Sequence, residues 1–315
     1  MKVAIVGAGA VGCYFGGRLA LAGHDVSFLA RGKTLEVLGS AGLRAHSISG
    51  NFELPEVKAT AKPAEVGPAD LIVVAVKAWH VPDIAPQLVP LIGPSSLVLP
   101  LQNGVEAPAQ LAEHLGAEAV LGGYCKLIVF REQPGVIRHA GVDPAMVSAG
   151  EMAGGHSERV ENLLAAFTAA GFEAIHDHDI RAGLWRKLLF IASWGGVAAV
   201  ARAPLGPLWA TPETRAMLEG AMHEVVATGR AHGVNLSEAD VEAKMAFLDG
   251  LPVTGTASMQ RDIAAGLPTE LEACNGAVVR LAREKSIETP INACIYAALK
   301  PQELRARKHV KFERL

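Results

Sequence analysis

The chain has 315 residues, with 29 Lys and Arg against 32 Asp and Glu, and a net charge of −3. Half of it is apolar, which is core material for two domains in a soluble chain, and the slight acidity argues against a general nucleic-acid surface. Its four cysteines, Cys13, Cys125, Cys274 and Cys294, form no C-x-x-C and no zinc spacing, so they predict a reduced, cytoplasmic protein.

Lys2–Val6 (KVAIV) has the short apolar run of a buried parallel strand. Gly7-Ala8-Gly9-Ala10-Val11-Gly12 follows at once, a G-x-G-x-x-G between a strand and a helix. In that setting Gly7 permits the tight turn, Gly9 lets backbone approach a pyrophosphate, and Gly12 lets the helix lie close to the sheet. The helix amides then face the phosphates. The same letters superficially resemble a signal peptide, but the apolar run is short and the glycines fall at phosphate-binding spacing. A helix ending near Gly23 leads to a second strand, Val26–Ala30. That strand ends in Arg31, Gly32 and Lys33 with no acid. A carboxylate there would bind a ribose 2′-hydroxyl, whereas a guanidinium binds a 2′-phosphate, so NADP is the predicted cofactor.

Strands are predicted at Leu71–Val76, Ser96–Leu101 and Val120–Phe130, with a proline-interrupted helix over Val81–Ile92 and a helix over Glu106–Leu115. Val136–His139 and Ala145–Ala149 read as antiparallel additions. A helix over His156–Ala170 is stopped by Gly171 and followed by a last strand, Phe172–Ile175. Beyond Asp179 strand signals vanish. Thr211-Pro212-Glu213 reads as an N-cap with proline at the first helical position, and another helix is predicted from Thr269 to Lys285. The basic stretch Arg305–Arg314 reads as a solvated helix end. The longest uncharged run, Leu188–Ala201, is too short for a span of about twenty residues, so no membrane role is expected. The fold class is α/β: a Rossmann-type doubly wound sheet over 1–178, followed by an all-helical domain over 179–315.

Ligands bind at the carboxyl ends of strands in such sheets. Lys77 and Asn103 stand there, the first suited to cofactor phosphate or ribose, the second to nicotinamide or substrate. Lys187 opens an otherwise apolar helix and is either snorkelling or functional. Facing a site, its ammonium would donate to a carbonyl oxygen that becomes an alkoxide. Ile191 and Gly195 share its helix face. Ser258 offers a hydroxyl to a substrate carboxylate, and from spacing alone Glu270 reads first as a helix-capping residue. The alternation His176-Asp177-His178-Asp179 carries potential metal ligands, but hydride transfer needs no metal and none is predicted. His223-Glu224 lacks the second His of a zinc-protease motif, and Cys125 has no sequence partner for a nucleophilic role.

Taken together, GAGAVG, Arg31, V-A-V-K-A-W around Lys77, Q-N-G around Asn103, W-R-K-L around Lys187, S-M at Ser258 and T-E-x-x-x-x-N-G from Glu270 resemble the ketopantoate reductase family over nearly the whole chain. The resemblance implies NADPH and a small-molecule 2-keto acid in a cleft between a Rossmann domain and a helical domain. It implies that Lys187 is the proton donor, with Gly7, Ala8, Gly9, Ala10, Val11, Gly12, Arg31, Lys77, Asn103 and Glu270 on the cofactor. Asn103, Lys187 and Ser258 fall on the substrate, and the strand after Leu121 passes the nicotinamide. The family's helix usually carries asparagines four and eight residues after its lysine; here these are Ile191 and Gly195, beside Trp194. Losing two amide partners weakens recognition of a polar hydroxy acid by about 1–3 kcal/mol each. The expected substrate is therefore a more apolar 2-keto acid, branched or aromatic. A 3-hydroxyacid or polyol dehydrogenase of the same plan, and a non-catalytic NADP sensor, are the alternatives. A helical half rich in apolar residues is compatible with a homodimer.

Overall fold

The computed structural model describes residues 1–308, which form two compact units. The first comprises Met1–Gln102 and Ala107–Ile180; the second takes Asn103–Glu106 and the chain from Arg181. Four residues that chain order assigns to the sheet half, 103–106, thus group with the helices.

In chain order the first unit contains β1 (Lys2–Val6), α1 (Ala10–Leu21), β2 (Asp25–Leu29), α2 (Gly32–Ala41), β3 (Leu43–Ser47), β4 (Phe52–Leu54) and β5 (Lys58–Thr60). It continues with α3 (Pro63–Val66), β6 (Leu71–Val74), α4 (Val81–Ile84), β7 (Leu97–Pro100) and α5 (Ala107–Leu115). It ends with β8 (Leu121–Gln133), β9 (Val136–Glu151), α6 (Glu158–Ala169) and β10 (Glu173–His176). One sheet runs β5-β2-β1-β6-β7, every pairing parallel. Its order reverses between β1 and β6, the switch point at which a Rossmann-type sheet opens a crevice. Val3–Val6 and Leu71–Val74 are fully buried, as inner parallel strands covered on both faces must be.

The other sheet runs β10-β9-β3-β4, with β8 paired to β9. The two expected antiparallel additions are one strand, β9, antiparallel only to β8 and parallel to β3 and β10. Gly141 and Pro144 carry turn chemistry, but the irregularity is absorbed as register shifts opposite Ile128 rather than a break. The proline-rich stretch after β6 is, as its sequence suggests, no continuous α-helix. It is α4 between 3-10 turns at Ala78–His80 and Ala85–Leu91. Between α1 and the second sheet, Phe15 stacks on Phe172 at 4.5 Å and meets Phe167 edge-on at 5.8 Å.

The second unit is helical: α7 (Ile180–Ala201), α8 (Leu205–Ala210), α9 (Pro212–Ala231), α10 (Glu238–Asp249), α11 (Ser258–Ala264), α12 (Asn275–Glu284) and α13 (Pro290–Ala306). α7 has 22 residues and by length and composition alone could cross a membrane, so the length argument made from Leu188–Ala201 does not hold. It is instead the core helix of this unit, with Leu188, Leu189, Ala192 and Val197 fully buried. Helix α12 starts six residues later than predicted. The buried Glu303 carboxylate takes both the N–H and the hydroxyl of Thr269, each at 2.8 Å, so Thr269 serves α13 rather than capping a helix. Thr211 does precede α9, yet its hydroxyl donates back to Pro207 O at 2.8 Å instead of capping. Arg307, read as part of a solvated end, is tied to Glu303 and to Thr269 O; residues 309–314 of that stretch lie outside the described residues.

Truncating the centre of the aromatic stack, Phe15→Ala, is expected to cost about 3–5 kcal/mol, read as a lowered urea midpoint. A loss below about 1 kcal/mol would show that the stack does not anchor α1.

Candidate active site

The turn at the end of β1 is shaped by what cannot fit there. Gly7 has φ +101°, and a Cβ on it would lie 2.8 Å from Val76 Cγ1. A Cβ on Gly12 would lie 2.0 Å from Gly7 O, so α1 can leave the sheet at this angle only with glycine at 12. Nothing lies within 4 Å of where a Cβ on Gly9 would sit, so that glycine faces open space, as a ligand-approach position requires. Helix α1 has no side-chain cap and no acidic residue in its first turn. Its N-terminal amides and positive dipole end are therefore not masked by a carboxylate of the helix's own first turn. Cys13, one turn in, is no nucleophile: burial pushes its thiol up to about 12.

Gln102, overlooked by sequence reasoning, fixes the wall opposite Gly7. Its buried side-chain amide donates to Val74 O at 2.8 Å and Val76 O at 2.9 Å, holding the β6 exit against the turn. The available signal was an amide directly after an apolar strand. Arg31 is exposed at the end of β2, one guanidinium nitrogen donating to Gln87 Oε1 at 2.9 Å. Lys77, also exposed, lies 5.8 Å from the Trp79 ring centre. These groups fit the phosphates of a dinucleotide. Gly123, on the strand expected beside the nicotinamide, packs tightly on β7: a Cβ there would lie 2.3 Å from Leu99 Cδ1.

In the second unit, Lys187 is half-buried on α7, between the fully buried Leu188 and the ion-paired Arg186. Arg186 Nε donates to Asp240 Oδ1 at 2.6 Å, tying this turn to α10. Burial pulls the Asp240 carboxyl upward, but the Ser237 N–H and the Arg186 guanidinium outweigh it and hold it below the usual carboxylate range. Further along α7, Asn275 Nδ2 donates to Ala192 O at 3.1 Å and to Asn292 Oδ1 at 2.9 Å. Asn292 and its backbone N–H in turn reach Glu224. The asparagine of the T-E-x-x-x-x-N-G motif is thus a buried strut.

Two predicted residues 167 positions apart meet: Asn103 Nδ2 donates to Glu270 Oε2 at 2.7 Å. Glu270 caps no helix, since α12 begins at Asn275. Ser258 is exposed at the start of α11, and its neighbours Ala257 and Met259 lie against Gly195 of α7; a Cβ on Gly195 would sit 3.4 Å from Met259 Cβ. The family's two amide positions on α7 are Ile191 and Gly195 here; one residue before each, Phe190 packs on Trp194 at 5.2 Å, with Phe190 also on Phe247 at 5.4 Å.

Sheet order, glycine turn and separate helical unit define the fold class, a Rossmann-type sheet with a helical second unit, and the matches to known proteins make the protein an oxidoreductase. Residues 3–154 match the description "Ketopantoate reductase PanE/ApbA", and residues 179–303 match its C-terminal counterpart. The chain belongs to the ketopantoate reductase family. It is 31% identical to a 2-dehydropantoate 2-reductase of Nostoc sp., covering 95% of this chain and 94% of that one. The crystal structure of 2-dehydropantoate 2-reductase from Geobacter metallireducens is similar at TM-score 0.87 and 31% identity, covering 96% of this chain and 99% of that one. A D-mandelate dehydrogenase in ternary complex with NADH and anilino(oxo)acetate shares the fold at TM-score 0.87 with 21% identity, covering 98% and 99%.

Asp240→Asn is expected to lower the melting temperature at pH 7. A depressed carboxyl stabilises the fold above its unfolded pKa of about 3.9 and loses that contribution as pH falls through its folded value. The gap between wild type and variant therefore closes below about pH 4. A gap that persists unchanged in acid would show that the ion pair is not its source.

Proposed function

We propose that this protein is an NADPH-dependent reductase of an apolar, branched or aromatic 2-keto acid. The observation that carries the reading is α7 itself, which presents Lys187 and then Ile191 and Gly195 on one face, with Trp194 and Phe190 beside them. NADPH, when bound, supplies the hydride that adds to the keto carbon. Gly7–Gly12 and the α1 amides hold its pyrophosphate, and Arg31 pairs with the 2′-phosphate that no neighbouring acid repels. Lys77 and the Asn103–Glu270 pair complete the contacts to ribose and nicotinamide.

Lys187 holds positive charge at the keto oxygen and gives it a proton as the carbonyl becomes an alcohol, which balances the incoming hydride. Ser258 donates its hydroxyl to the substrate carboxylate, and Asn103 orients the keto group. The family's two amides would bond a hydroxyl and a carboxylate. Ile191 and Gly195 cannot, and a site offering apolar surface instead favours an apolar side chain. Support for keto-acid reduction comes from relatives at about one-third identity named 2-dehydropantoate 2-reductase. The mandelate dehydrogenase adds only that this fold houses a ligand with an aromatic ring on a 2-oxo acid frame.

Replacing Lys187 by Ala is expected to reduce kcat by 10²–10⁴-fold while NADPH affinity, measured by fluorescence titration, stays within a few-fold. Near-normal turnover would remove the proton-donor assignment. Initial rates should favour phenylpyruvate, benzoylformate or branched 2-keto acids over ketopantoate, and NADPH over NADH. A clear preference for ketopantoate rejects the apolar reading. Tight NADPH binding with no turnover on any keto acid would favour a sensor, and oxidation of 3-hydroxyacids or polyols a different dehydrogenase.

A further inference from the structure

Among the residues this function does not use, His156, Glu161 and His176 bring one ligand atom each within 4.8 Å of one another. They come from separate parts of the first unit: His156 from the turn before α6, Glu161 from the first turns of α6, His176 from the end of β10. Glu161 Oε1 is central, 3.6 Å from His156 Nδ1 and 3.9 Å from His176 Nδ1. Ligand atoms around a tetrahedral zinc with bonds of about 2.0–2.1 Å stand ~3.4 Å apart, so closing on an ion needs shifts of a few tenths of an ångström on the carboxylate side. Among the described residues neither ring nitrogen of His176 has a hydrogen-bond partner, although both are buried. A buried polar ring in that condition carries a desolvation cost that an ion would relieve.

The backbone around the three is already fixed. Gly155 N–H donates to His178 O at 2.8 Å, and Asp177 N–H to Ala149 O at 3.0 Å. Ser157 and Arg159 both bond Glu151, the arginine through two nitrogens. The His-Asp alternation in sequence shows only part of this cluster: the His178 ring lies 4.4 Å from that of His176, but its Nδ1 is engaged by Gly155 O at 3.2 Å. Successive residues at a strand end face opposite ways, and Asp177 turns to Asp179 N–H at 3.0 Å. The other two ligand atoms near His176 come from on and before α6.

We infer that His156, Glu161 and His176 bind one zinc-like divalent transition ion, with water in the remaining coordination position. Two imidazoles and one carboxylate suit zinc or cobalt better than calcium or magnesium. The ion would clamp the start of α6 to the end of β10, a structural function separate from the reductase chemistry.

Untagged, chelator-treated protein titrated with zinc chloride by calorimetry is expected to bind one ion per chain at micromolar affinity or tighter. Cobalt chloride should give a visible d–d absorption band. His156 is exposed, so His156→Ala should fold normally by circular dichroism; it and Glu161→Gln should each weaken zinc binding at least tenfold and abolish the cobalt band. Wild-type binding no tighter than that of His156→Ala, or an unchanged cobalt band in either variant, overturns the site. Keto-acid reductase activity is not the readout, so failure of the proposed function leaves this test standing.

Discussion

One buried amide governs where Lys187 can be. Asn275 joins α12 to the carbonyl of Ala192 on α7 and to Asn292 on α13, and Asn292 passes the connection to Glu224 on α9. Glu224 also accepts the N–H groups of Ile291 and Asn292 at the start of α13, at 2.7 and 2.8 Å. All of this is out of water, where a half-satisfied network would cost more than an apolar contact. Asn275 Oδ1 has no partner among the described residues, but its amide N–H groups and those of Asn292 do, and these bonds define one register for four helices. Gly196 makes it feasible, since a Cβ there would lie 3.0 Å from the Asn275 amide nitrogen. An apolar helix surrounded by Leu and Val could rotate or slide with little penalty; one bonded at Ala192 cannot. A lysine one turn earlier inherits that fixed position.

The first unit solves the same positioning task by exclusion. Gly7 and Gly12 matter because a side chain at either would strike Val76 or the Gly7 carbonyl. Gln102 then holds Val76 in place through two backbone carbonyls. One unit orients its chemistry with a polar network, the other with a turn that no other residue type can make.

Local patterns made much of this legible. The G-x-G-x-x-G between strand and helix, the fully apolar β6 and the loss of strand signals after Asp179 all carry their meaning within a few residues, and they gave the Rossmann-type sheet and the helical second half. What escaped depends on long-range partners. Nothing near Thr269 reveals that Glu303 will capture its N–H and delay α12. Nothing near Gly141 shows that β9, paired to β3 before it, continues through a bulge to pair with β10. The Asn103–Glu270 bond joins two residues singled out separately for different reasons. Asn275 was visible as a motif letter, yet its burial against Ala192 could not be read from spacing.

If Arg31 holds a 2′-phosphate, as proposed, its neutral tether has a consequence. Gln87 steers the guanidinium through an amide oxygen, not a carboxylate, so among the described residues an arriving phosphate would meet no ion pair that must first be broken. That charge also sits exposed, where mobile counter-ions compete for it over a Debye length of about 8 Å at physiological ionic strength. Under that proposal, discrimination between phosphorylated and unphosphorylated coenzymes would be a property of the medium as well as of the protein, and would narrow as salt is added.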